Sequence, residues 1–136
     1  MKNPFFKTSL VLTALLLIFG SAAMAQHGGK AEPNRIEFKR GSHSTTVNGS
    51  VHGDEQAEYV LAAKKGQRLI IRLTTVPAKS SCFDLKGPDQ IDMGLEFDCN
   101  SGYSKLLPAT GDYFISVART SQEKGTSRYR LIVTVR

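Results

Sequence analysis

Two cations late in the chain, Arg119 and Lys124, flank a run of short polar side chains, Thr120-Ser121-Gln122-Glu123, and Gly125-Thr126-Ser127 completes the segment. A loop of this composition suits contact with an acidic surface, because guanidinium and ammonium groups pair with carboxylates. The same residues equally suit a solvated turn between two strands. A second candidate is Ser101-Gly102-Tyr103-Ser104, which follows Cys99. A tyrosine-tipped loop braced by a disulfide is pre-organised, which lowers the ordering cost of binding. Its plainer reading is a turn whose tyrosine packs on a sheet edge.

Asp84, Asp89, Asp92, Glu96 and Asp98 form an acidic group around one long connection. Oxygen-rich loops can hold calcium, but the spacing fits no EF-hand, and a solvated acidic face is the plainer reading. His27, His43 and His52 are too few and too scattered to argue for zinc. No Gly-x-Ser-x-Gly elbow, His-Glu-x-x-His helix or nucleotide loop occurs. The expectation is a binding protein rather than an enzyme, with no cofactor and no metal.

The elements that position these residues begin after an export signal. Lys2 and Lys7 precede an apolar run from Ser9 to Gly20, and Ala23-Met24-Ala25 is a small-x-small cleavage site before Gln26. Residues 1–25 are therefore expected to be removed, and the apolar run is too short for stable membrane insertion. Residues 26–136 carry sixteen Lys and Arg against twelve Asp and Glu, a net charge of +4. Both signs are spread along the chain with no run of five basic residues, which argues against nucleic-acid binding. Cys82 and Cys99, an isolated pair in an oxidising compartment, are expected to form a structural disulfide.

The rest of the chain predicts one all-β domain over residues 35–136, after a disordered lead-in over 26–34. The central stretch, Ala57 to Val76, reads as a hairpin: Tyr59, Leu61 and Ala63 share one face, Leu69, Ile71 and Leu73 another, and Gly66 serves the turn. Arg35–Arg40, with Ile36 and Phe38 facing in, predicts a strand, and Ser44–His52 a weaker one. Cys82–Leu85, a strand holding Tyr113, Ile115 and Val117, and Arg128–Arg136 complete the set. The segment from Ile91 to Asn100 reads as a long connection with one short strand near Leu95-Phe97. About seven or eight short strands separated by turn signals indicate an antiparallel β-sandwich, with a barrel as the alternative.

The ordered set Ile36-x-Phe38, Gly49-x-Val51-x-Gly53, Tyr59, Ala63-Lys64-Lys65-Gly66-Gln67, Leu107-Pro108-Ala109-Thr110-Gly111-Asp112-Tyr113 and Tyr129-x-Leu131 resembles the bacterial periplasmic inhibitors of g-type (goose-type) lysozyme. It is shared more loosely with prepeptidase C-terminal β-sandwiches. The resemblance implies a protein partner, a g-type lysozyme, and loops at one end of the sandwich that enter the enzyme's cleft. It assigns the main insertion loop to Arg119, Thr120, Ser121 and Lys124, with Asp54 and Tyr103 as flanking contacts. Ser121 stands where that family's pattern has an arginine, and Asp54 where it has an aromatic. The alternative function is an exported prepeptidase-type binding module for a protein, polysaccharide or calcium ligand.

Overall fold

The computed structural model describes residues 33–95, 99, 102–121 and 124–136. The expected signal peptide, nearly all of the lead-in, and Glu96, Phe97 and Asp98 of the long connection lie outside the described residues. Eight strands follow in order: β1 (Asn34–Arg35), β2 (Ser44–His52), β3 (Gln56–Ala63), β4 (Arg68–Val76), β5 (Ser81–Lys86), β6 (Gly102–Leu106), β7 (Gly111–Arg119) and β8 (Thr126–Val135). They form two four-stranded sheets, β1-β3-β7-β5 and β2-β8-β4-β6. All pairings are antiparallel except that of β1 with β3. The sheets pack face to face as a sandwich; neither closes into a barrel.

The period-two alternation of the sequence decides what fills the interior. Leu69, Ile71 and Leu73 of β4, and Leu131 and Val133 of β8, meet Leu61, Phe83, Tyr113, Ile115 and Val117 of the other sheet in one core. Tyr59 of β3 and Tyr129 of β8 hydrogen-bond through their hydroxyls at 2.5 Å, a buried link between the sheets. Gly49 opposite Tyr129 makes room for it, since a Cβ there would overlap the ring and hydroxyl. The Leu107–Tyr113 motif has a mechanical reason of its own. The Tyr113 hydroxyl donates to the Ala109 carbonyl at 2.6 Å, which fixes the entry to β7 as a tyrosine corner does.

Three expectations need correction. First, β3 and β4 are not a hairpin, because they lie in opposite sheets. Each strand has one fully apolar row, and placing the strands in opposite sheets lets the two rows cover each other across the interior. Gly66, at φ +86°, turns the chain over between the layers, and its N–H donates to the Leu107 carbonyl at 2.9 Å. Secondly, the strand expected over Arg35–Arg40 ends after a short parallel ladder, extended only by the Ile36 N–H to Val60 carbonyl bond. Ile36 and Phe38 do turn inward onto the core, and a turn closed by Ser42 N–H on the Lys39 carbonyl then diverts the chain. Thirdly, Gly102, Tyr103 and Ser104 of the stretch expected as a loop belong to the edge strand β6, Gly102–Leu106, paired with β4. An edge strand needs only one covered side, so β6 carries no apolar alternation that a sequence reading could detect.

Candidate functional site

Three connections gather at one end of the sandwich, where β2, β4 and β7 finish and β3, β5 and β8 begin. The β2–β3 turn is closed by the Glu55 N–H on the His52 carbonyl at 2.9 Å, while the Glu55 carboxylate accepts the His52 N–H at 3.2 Å. Asp54 sits exposed at its tip. The Gly53 N–H donates to the Gly125 carbonyl at 3.1 Å, so this turn is tied to the β7–β8 loop. On the other side the Thr120 N–H donates to the Ser80 carbonyl at 3.1 Å and the Thr120 hydroxyl to the Lys79 carbonyl at 3.2 Å. The Ser80 hydroxyl donates to Pro77 at 2.6 Å, which leaves Ser127 to donate to Ser80 at 2.5 Å. The β7–β8 loop is thus held between its two neighbours by backbone and hydroxyl hydrogen bonds.

The structure therefore brings together five of the six residues expected to bind a partner: Asp54, Arg119, Thr120, Ser121 and Lys124. Their arrangement is not uniform. Arg119 closes β7 opposite Ser81, is half-buried, and lays its guanidinium over Gly125, where a Cβ would come within 3.1 Å of Nη2. Lys124 and Asp54 are exposed, and Ser121 is half-buried. Tyr103 is placed elsewhere. It lies on the edge strand β6 opposite Ile71, about 17 Å along β4 from Val76 at a strand rise near 3.4 Å per residue. Its hydroxyl donates to the Met93 carbonyl at 3.0 Å, and burial, with smaller contributions from Tyr113 and Asp92, pushes its phenol above the ordinary value.

Residues the sequence did not single out complete the surface. Lys79, at φ +58°, is exposed on the β4–β5 connection beside the loop that its carbonyl anchors. Val76, 58% exposed, ends β4 at the same rim. Only the Pro77 that follows Val76 marks this connection in the sequence, and it says nothing about which loop lies next to it. The expected disulfide joins Cys82 to Cys99, with Cα atoms 4.4 Å apart and a sequence separation of 17. Cys82 follows Ser81, the partner of Arg119, so the bridge tethers the long β5–β6 connection near the same end.

The end is a surface of exposed cations, one exposed carboxylate pair and hydroxyls, suited to an acidic partner of complementary shape. No group of three or more His, Cys, Asp or Glu that could hold a metal ion occurs among the described residues. A cavity of about 420 Å³ lined by Phe38, His43, Lys64, Gln67 and Asp112 opens at the opposite end and contains none of the expected site residues.

No protein-family model matches the chain. In sequence it is 28% identical over 142 residues to the inhibitor of g-type lysozyme from Escherichia coli (strain K12), covering all of both chains. In structure it is similar to the periplasmic inhibitor of g-type lysozyme from Aeromonas hydrophila, with a TM-score of 0.68 and 23% identity over 76% of this chain and 96% of that one. The prepeptidase C-terminal domain of a Bacillus anthracis collagenase shares the fold at a TM-score of 0.57 and 18% identity, over 81% of this chain and all of that domain. The chain thus resembles an inhibitor of g-type lysozyme along its whole sequence, and it has the β-sandwich fold of the periplasmic inhibitors.

Proposed function

We propose that the protein is an exported inhibitor of g-type lysozyme that blocks the enzyme by seating the β7–β8 loop in its active-site cleft. The observation that carries the inhibitor reading is the end-to-end sequence similarity to an inhibitor of that enzyme class. The loop assignment rests on geometry. Thr120 and Gly125, at the two ends of the loop, are already tied to the neighbouring connections, so these residues surrender little freedom on binding, and that saving appears as affinity. Lys124 supplies an exposed cation at the loop and Arg119 a second at its base, so a catalytic carboxylate in the cleft would meet positive charge from two directions. A lysine makes a point contact where an arginine makes a two-pronged one, so with Ser121 at the third position the loop depends on Arg119 for directional recognition. Thr120 fixes the loop base, and Asp54 lies beside it to meet a basic rim. Residues 1–25 deliver the chain across the inner membrane and are removed there.

Calorimetric titration of the oxidised protein into a purified g-type lysozyme tests the proposal. The expected result is a one-to-one complex that the Arg119→Ala/Lys124→Ala double variant weakens by about tenfold or more, given the worth of charged interface contacts. Absence of binding at micromolar concentrations overturns the inhibitor reading. Unchanged affinity in a folded double variant overturns the loop assignment.

A further inference from the structure

The two sheets differ in charge in a way the linear sequence conceals. None of the strands β2, β4, β6 and β8 contains an Asp or a Glu, whereas β3, β5 and β7 carry Glu58, Asp84 and Asp112. On the outward face of the acid-free sheet stand Arg68 and Arg72 of β4 and Arg128 and Arg130 of β8, all exposed except half-buried Arg68. Register places them in one field. Thr74 lies opposite Arg130 and Ile132 opposite Arg72, so Arg72 and Arg130 are diagonal neighbours about 7–8 Å apart. Arg128 is two residues from Arg130 on the same face. On the far side Asn48 and Ser50 of β2 stand opposite Arg130 and Arg128. The two ion pairs found among the described residues, Arg35–Asp112 and Lys86–Asp84, do not involve this face.

We infer that this face binds an anionic polysaccharide, one bearing carboxylate or phosphate groups, independently of the loops that meet the lysozyme. Like charges held close without counter-charges raise the local potential and draw in anions. Guanidinium groups grip carboxylate and phosphate oxygens in pairs. Between the arginines the exposed short side chains Thr46, Asn48, Ser50 and Thr74 offer hydroxyl and amide partners at the height of a chain lying flat on the sheet. Sugar hydroxyls match that chemistry. The face lacks the aromatic platforms on which single-stranded nucleic acid stacks, since Tyr103 and Tyr129 turn toward the core. Its apolar side chains form no patch for a bilayer: Ile70 and Ile132 are half-buried, and the two exposed ones, Val76 and Leu106, stand at opposite ends of β4, Leu106 being paired with Arg68. A protein so equipped would stay on an acidic envelope glycan, where a wall-degrading enzyme also works.

The test is binding of the purified, oxidised protein to polygalacturonate, with neutral dextran, duplex DNA and anionic phosphatidylglycerol vesicles in parallel. Polygalacturonate is expected to bind, dextran not, and affinity should fall steadily with salt. Arg72→Gln/Arg130→Gln should weaken polygalacturonate binding by about tenfold, the sum of two exposed charge contacts. Lys65→Gln/Lys86→Gln, which removes the same charge elsewhere, should leave it unchanged. All four side chains are exposed, so unaltered melting curves show that the variants fold. Equal loss in both double variants, or tighter binding to DNA or vesicles than to polygalacturonate, overturns the inference. Lysozyme inhibition that survives in Arg72→Gln/Arg130→Gln separates this surface from the loop site.

Discussion

Tyr59 and Tyr129 are the residues on which the joining of the two sheets is most exposed to test. Their hydroxyls satisfy each other in a place where neither meets water freely, so removing one strands the other. Tyr129→Phe is expected to destabilise the fold by about 1–3 kcal/mol, the cost of an unpaired buried hydroxyl, measured by chemical denaturation. Burial, and then the hydrogen bond shared with Tyr59, raise the Tyr129 phenol above its ordinary value of 10.0. A folded-state value above the unfolded one means that the stabilisation is complete below about pH 10 and is lost as pH climbs toward the folded value. The melting temperature should therefore fall from about pH 10 upward, and less steeply in Tyr129→Phe. An equal decline in both proteins would contradict this account. Gly49 belongs to the same arrangement: Gly49→Ala forces a methyl into the Tyr129 ring and should lower the melting temperature although the residue lies on a strand.

Among the elements, β4, β7 and β8 were legible because each buries every second residue, and that alternation survives in the sequence without help from neighbours. The relation of β3 to β4 was not legible. A hairpin and a crossing between layers share the same alternation and the same glycine turn, and only the choice of what covers the apolar row separates them. The edge strand β6 was missed for the opposite reason, since Gly102, Ser104 and Lys105 supply no apolar rhythm. The Cys82–Cys99 bridge restrains the connection leading to β6. Closing a loop with a sequence separation of 17 should contribute about 3 kcal/mol in the chain-entropy model. Cys82→Ser/Cys99→Ser is expected to unfold at correspondingly lower denaturant. A stability equal to that of the oxidised parent would mean that the bridge constrains nothing.

At the scale of the whole molecule, the candidate loop was legible as a contiguous stretch, Arg119 to Lys124. Its neighbours were not, because Gly53 and Ser80 reach it only through the fold. The segregation of charge was equally hidden: a chain with both signs spread along it acquires an acid-free sheet only once its strands are sorted into layers. Export is open to a simple check. The mature protein is expected to begin at Gln26, read by intact mass after expression with the full leader; retention of residues 1–25 would contradict the cleavage site. The central claim is inhibition, and turbidity clearing of peptidoglycan suspensions addresses it most directly. With the oxidised protein titrated against g-type and chicken-type lysozymes, the account predicts stoichiometric protection from the g-type enzyme alone. Clearing by the g-type enzyme that proceeds unchanged at micromolar protein would contradict it.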